Sequence, residues 1–162
     1  STRTFTRTDT ATSGTVTYAS SNTKIATVDA AGKVTISKNA TGTAVITASS
    51  PSTTNYEAAT SKSYVVKVKA GKMAVKKATN VKTGKIKVTW TKMYGADKYQ
   101  IQVAKNKKFT IGKKTYTAAP SLAAKTTGKL AQRKWFVRIR AYDKQTKSWG
   151  TWSAAKAVKI TK

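Results

Sequence analysis

Hydrophobic and polar residues alternate with period two along most of this chain, and no segment carries a sustained helical stripe. Ile86, Val88 and Trp90 fall on one face, with Lys85, Lys87 and Thr89 on the other. Tyr99, Ile101 and Val103 alternate with Lys98, Gln100 and Gln102. Trp135, Val137, Ile139 and Ala141 alternate in the same way with Phe136, Arg138, Arg140 and Tyr142, and Trp152 to Ile160 supplies a final strand. Earlier in the chain the runs are shorter: Val16 and Tyr18, Ile25 to Val28, Val34 and Ile36, Ala44 to Ala48, and Tyr64 to Val68. Asp29-Ala30-Ala31-Gly32 is a hairpin signal, Asn39-Ala40-Thr41-Gly42 a second turn, and Ser49 to Ser61 a longer loop. Thr, Val, Ile and aromatic side chains suit a pleated, half-buried surface. One apolar and one polar face per strand is the mark of antiparallel sheets wet on one side. Short strands punctuated by turns predict an all-β fold built from sandwiches.

Composition divides the chain and removes most catalytic chemistry. Of 162 residues, 32 are Lys or Arg and 5 are Asp or Glu, a net charge of +27, with no Cys and no His. A nucleophile activated by an imidazole is therefore excluded, as are protein-ligated zinc, iron or copper sites, which draw on His and Cys. The five acids, Asp9, Asp29, Glu57, Asp97 and Asp143, are too scattered for a local calcium loop. A two-carboxylate hydrolase would need two of them to meet across the fold. No cofactor is expected, and the chain reads as a non-enzyme. Residues 1–70 are Thr/Ser/Ala-rich with a net charge of +5, whereas 71–162 are Lys-rich, hold all four Trp and carry +22. That change predicts two domains, 1–70 and 71–162, each near the lower limit of size for an independent core without disulfides. No apolar run approaches the roughly 20 residues of a membrane helix, and an export signal would lie outside this chain.

Two resemblances follow from these runs. Val16-Thr17-Tyr18-Ala19-Ser20-Ser21-Asn22, Ile25-Ala26-Thr27-Val28-Asp29, Gly32-Lys33-Val34-Thr35 and Gly42-Thr43-Ala44-Val45-Ile46-Thr47-Ala48 occur in order, and the first domain resembles a bacterial immunoglobulin-like domain of the group 2 kind. Thr4-Phe5-Thr6-Arg7 matches the second strand of that pattern, so the resemblance implies an opening strand ahead of it. Its absence would leave an open edge over Ser1 to Asp9, with Arg3 and Arg7 as protection, unless residues 1–8 themselves take the first strand's place. In the second domain, Trp90, Tyr99-Gln100-Ile101-Gln102-Val103, Leu130 followed by Trp135, Val137-Arg138-Ile139-Arg140-Ala141-Tyr142 and Gly150-Thr151-Trp152-Ser153 resemble a fibronectin type III domain over nearly the whole of 77–161. Trp135 stands where that family has the Tyr of a tyrosine corner. The resemblances imply tandem immunoglobulin-like β-sandwiches, lying end to end and joined by a short linker between Lys69 and Ala78, with Gly71 as its hinge. Lys-rich modules of this pattern are similar to those of secreted or wall-attached proteins of Gram-positive bacteria.

The neighbouring third and sixth strands of the second domain define the candidate binding face. It comprises Lys98, Gln100, Gln102, Phe136, Arg138, Arg140 and Tyr142, with Trp149 in the loop that follows. Aromatic rings beside Arg and amide groups suit a glycan or protein contact, and an exposed loop Trp would be an anchor. The plainer reading is an ordinary sheet surface with the rings covering Lys and Arg stems, and Trp149 folded onto the sandwich edge. Trp90, Trp135 and Trp152 are read as core. Lys at alternating strand positions is, first, how an exposed sheet face stays soluble and resists edge pairing. As a partner signal, the positive charge points to anionic cell-wall polymers or acidic glycans. Nucleic acid is disfavoured, because Lys outnumbers Arg 27 to 5 and no nucleic-acid motif appears. The reading is a monomeric, extracellular, non-catalytic fragment that spaces or presents something on a bacterial surface. An adhesin module for host protein or glycan, and an accessory module of a polysaccharide-degrading enzyme, are its alternatives.

Overall fold

The computed structural model describes residues 3–81 and 84–161, so Ser1 and Thr2 of the expected open edge lie outside the described residues. The chain separates into two compact units, Ser1–Val68 and Lys69–Lys162, each all-β.

In the first unit the strands are β1 (Arg3–Thr6), β2 (Thr17–Ser20), β3 (Ala26–Val28), β4 (Lys33–Ile36), β5 (Gly42–Ser50) and β6 (Ala59–Val68). They form two three-stranded antiparallel sheets, β1-β4-β3 and β2-β5-β6. Alternation along β5 is complete: Ala44, Ile46 and Ala48 point inward, and Thr43, Val45 and Thr47 outward. Ile25, Val34, Ile46, Val66 and Val68 meet between the sheets as the core. The β3–β4 turn is built by Asp29, whose Oδ1 accepts from the backbone N–H of Ala31 (3.0 Å) and Lys33 (2.9 Å). Gly32 closes that turn at φ +76°, and a Cβ there would lie 2.1 Å from the Arg7 carbonyl oxygen. Of the stretch Thr4-Phe5-Thr6-Arg7, the first three residues pair with β4 as part of β1, Phe5 opposite Val34, while the Arg7 N–H donates to the Gly32 carbonyl. β1 occupies the edge of its sheet with all four of its residues exposed.

The second unit holds β7 (Val75–Val81), β8 (Lys85–Trp90), β9 (Lys98–Ala104), β10 (Lys114–Ala118), β11 (Ala124–Thr126), β12 (Lys134–Asp143), β13 (Ser148–Trp149) and β14 (Lys156–Lys159). One sheet runs β11-β8-β7. The other runs β10-β9-β12, and β12 offers its far edge to β13 at one end and β14 at the other. Trp90, Tyr99, Ile101, Val103, Trp135, Val137 and Ile139 fill the space between the sheets. Trp90 and Tyr99 meet edge to face at 5.3 Å. At Trp135 the indole N–H donates to the Ala131 carbonyl at 3.0 Å, so a single donor ties the ring to the backbone four residues upstream, as a corner phenol would.

Three expectations are corrected. The linker is shorter than the alternation implies: β7 starts at Val75, not Ala78, and Ala70 and Met73 are buried in the second core. Residues 70–74 make no ladder, so period two is silent there although the chain is packed. The close approach is made possible by Gly150, where a Cβ would lie 2.8 Å from the carbonyl oxygens of both Ala70 and Gly71. Gly71 therefore belongs to the second unit, between two anchored residues. Trp152 lies outside the core cluster and is half-buried on the outer face, and Trp149 belongs to β13 rather than to a free loop.

Candidate functional site

The outer face of the β10-β9-β12 sheet gathers the side chains that sequence alternation assigned to it. Tyr99, Ile101 and Val103 of β9 and Trp135, Val137 and Ile139 of β12 turn into the core, which sends their neighbours outward. Antiparallel register then fixes the cross-strand pairs: Tyr142 opposite Lys98, Arg140 opposite Gln100, Arg138 opposite Gln102, and Phe136 opposite Ala104. Each Arg is held by its partner amide. Arg140 Nε donates to Gln100 Oε1 at 2.9 Å, and Arg138 donates through Nε (3.0 Å) and Nη2 (2.6 Å) to Gln102 Oε1. Gln102 also donates to Thr115 Oγ1 at 3.3 Å and is buried beneath Arg138, so it is a support and not a presented group.

Residues from outside these two strands complete the arrangement. Arg138 and Arg140 are two positions apart on one face, roughly 7 Å along a strand, which leaves a slot one ring wide. Trp152 fills it, with its ring 4.3 Å from each guanidinium carbon. Trp149, paired with Tyr142 through β13, covers the other side of Arg140 at 4.4 Å. Phe109, from the β9–β10 loop, covers the other side of Arg138 at 4.1 Å. Lys98 Nζ lies 4.8 Å from the Tyr142 ring and 5.6 Å from Trp149, while Tyr142 and Trp149 themselves meet at 4.9 Å. The outcome is a ladder of alternating cations and rings, from Tyr142 and Lys98 through Trp149, Arg140, Trp152 and Arg138 to Phe109. Phe136 stands apart from it, under Lys134 at 5.5 Å.

The ladder is partly dehydrated, and its electrostatics follow. Burial, and then the like charge of Arg140, draw the Arg138 guanidinium below its ordinary pKa, and burial does the same to Arg140. Face-on rings offset that cost by about 0.5–2 kcal/mol per contact. The loop that delivers Phe109 carries strain: Phe109 sits at φ 60°, a left-handed conformation that costs a non-glycine residue about 1–3 kcal/mol. Asn106 holds the loop in that shape, its Oδ1 accepting from the N–H of Thr110 (3.0 Å) and Ile111 (3.1 Å).

Acids serve the same hairpin. The buried Asp143 accepts from the Gln145 N–H and the Thr146 hydroxyl, each at 2.8 Å. Asp97 accepts from the Lys144 N–H and pairs with its ammonium at 3.7 Å. Among the described residues no three His, Cys, Asp or Glu side chains converge, and no helix is long and apolar enough to cross a membrane.

All eight residues singled out in the sequence lie on or beside this face. Sequence reasoning missed Trp152 and Phe109. For Trp152 a signal exists: two Trp three apart, Trp149 and Trp152, following an Arg-x-Arg strand whose slot needs a ring. For Phe109 there is none, since its position depends on one left-handed residue in a loop.

Residues 3–52 match the family described as the intimin immunoglobulin-like domain, which is less than half of the chain. The match supports the immunoglobulin-like part of the expectation for the first unit. No curated protein matches. Among solved structures, a two-domain fibronectin type III segment of chicken tenascin is 11% identical, with a TM-score of 0.58, and the match covers 90% of this chain and 82% of that one. The FN5 domain of Drosophila Lar is 22% identical, with a TM-score of 0.48, over 57% of this chain and 98% of that one. The tenascin likeness carries the fold alone. With the family match it supports an immunoglobulin-like unit followed by a fibronectin type III fold.

Proposed function

We propose that this chain is a non-catalytic spacer and presentation segment of a bacterial surface or secreted protein. The observation that carries the reading is the closure of the ladder on itself. The guanidinium faces are covered by Trp149, Trp152 and Phe109, and their Nε edges are taken by Gln100 and Gln102. A recognition surface keeps such groups available to a partner. Here the same groups rivet the β12–β13 hairpin and the chain beyond it onto the sheet, which stiffens the unit. The intimin-type match over residues 3–52 and the fibronectin type III fold are consistent with an extracellular setting.

The test places the chain between a bacterial surface anchor and an epitope tag, and measures antibody access to the tag. A spacer raises access over a direct fusion, and folded variants of the outer face, such as Lys98→Ala, raise it equally. Saturable binding of the purified chain to a host protein or neutral glycan, abolished by such a variant, would overturn the reading in favour of an adhesin.

A further inference from the structure

In the second unit cations stand at both ends of the strands, but side-chain carboxylates stand at one end only, where Asp97 pairs with Lys144. The unit's two side-chain carboxylates, Asp97 and Asp143, stand together: Asp97 immediately precedes β9, and Asp143 ends the antiparallel β12 where Tyr142 meets Lys98. At the other end of β9, about 20 Å away at the rise of a strand, no side-chain carboxylate remains to answer the cations. Lys107 and Lys108 are exposed in the β9–β10 loop, and Lys113 is exposed just before β10 returns. Register brings other strands to the same end. Phe136 lies opposite Ala104, so exposed Lys134 starts β12 there, and it pairs with exposed Lys159 at the end of β14. The Ile160 N–H donates to the Arg133 carbonyl at 3.0 Å, fixing that residue beside them. A distance of about 20 Å exceeds the Debye length of about 8 Å at physiological salt, so the two acids do not screen this end.

The composition of this cationic end selects its partner. It is built mainly from Lys, a flexible point charge, rather than the Arg fork that reads a defined carboxylate or phosphate in two bonds. It therefore suits a line of repeated charges more than one rigid anion. Among the described residues it offers no fully exposed ring: the exposed large hydrophobic residues of the unit are Tyr94, Ile111 and Leu122, and Tyr94 lies before β9, toward the acidic end. Phe136, the ring at this end of β12, is half-buried beneath Lys134. Binding of single-stranded nucleic acid uses aromatic platforms for base stacking, and Phe109, the ring in this loop, is buried against Arg138. The loop is also held in shape by Asn106, so its lysines are presented without further ordering.

We propose that this end of the second unit docks a base-free linear polyanion, a polymer of repeated phosphate or carboxylate charges. Docking is electrostatic and local to the β9–β10 loop and the start of β12.

The test uses the full chain and three probes of matched length: inorganic polyphosphate, polygalacturonate and single-stranded DNA. Affinity is followed across a salt series. One variant carries Lys107→Glu, Lys108→Glu and Lys113→Glu. Its control carries Lys72→Glu, Lys77→Glu and Lys92→Glu, three exposed lysines away from this end, with the same change in net charge. Tryptophan fluorescence checks that both remain folded. The first variant should lose at least thirtyfold in affinity for the base-free polymers, and the slope of log K against log salt should fall by about 2, near 0.7 per lost contact. The control should lose no more than about threefold. Preference for polyphosphate or for polygalacturonate identifies the anion, and either supports the proposal. Equal losses in the two variants would reduce the effect to net charge and overturn the local site. Tighter binding of the DNA than of both base-free polymers would overturn the partner.

Discussion

Trp152 lies between two guanidinium groups, and removing it uncovers both. Trp152→Ala should lower the stability of the second unit by about 2–3 kcal/mol, below the 3–5 of a fully buried Trp because the ring is only half-buried. Urea denaturation followed through the remaining tryptophans measures this, and a loss under about 0.5 kcal/mol would show the ladder to be ornamental. Tyr99 offers a pH test. Burial is the larger effect and pushes its phenol above the ordinary 10.0, while its hydrogen bonds with the Met93 backbone act the other way. Below about pH 10 the phenol is neutral in both states and its contribution is fully present. As pH rises past 10 the unfolded phenol ionises first, so stability is lost until the folded phenol ionises too. Many Lys also titrate there, so the comparison is between the native chain and Tyr99→Phe. The native chain should lose more stability between pH 9 and 11, and parallel curves would contradict the assignment.

Two glycines hold elements in place through what they lack. In the first unit Gly32 lets the β3–β4 turn pass against the Arg7 carbonyl, and its own carbonyl accepts from the Arg7 N–H at 2.9 Å. Gly32→Ala should cost about 1–3 kcal/mol by combining a left-handed φ with a clash, and should raise hydrogen exchange at Arg7 before the rest of the sheet. Exchange unchanged at that amide would mean that the turn and β1 are not coupled. Much of this architecture was legible beforehand. The inward residues of β8, β9 and β12 follow from period two, and the β3–β4 turn from Asp29 and Gly32. The outer-face pairs followed from placing β9 beside β12. What was not legible lies where no ladder imposes a period: residues 70–74, packed through Gly150, and the stretch after Trp149, where a change of direction takes Trp152 from the expected core to the outer face. Phe109 was hidden for the same reason, since a single left-handed residue redirects it.

At the scale of the whole chain, charge and chromophore are partitioned together. Placing the boundary at Val68 moves Lys69 into the second unit, so the units carry +4 and +23, which sum to +27. A charge of +23 repels itself in the compact state, and repulsion among exposed groups is screened by salt. The first unit has little to screen. All four tryptophans lie between residues 90 and 152, so tryptophan fluorescence in the intact chain reports the second unit alone. Raising salt from low to physiological ionic strength should therefore shift the fluorescence-detected melting midpoint upward by several degrees. The transition seen only by far-ultraviolet circular dichroism, which includes the first unit, should move much less. A shift of about 1 kcal/mol corresponds to roughly 4–8 °C for a domain of this size, so the difference is measurable. Chloride and sulfate should shift the midpoint about equally at equal ionic strength if screening is the cause, whereas a larger shift in sulfate would point to its exclusion from the protein surface. No shift of the fluorescence-detected transition would mean that the charge of the second unit is already balanced by its fold, and equal shifts of both transitions would mark a general effect of salt rather than screening of the second unit.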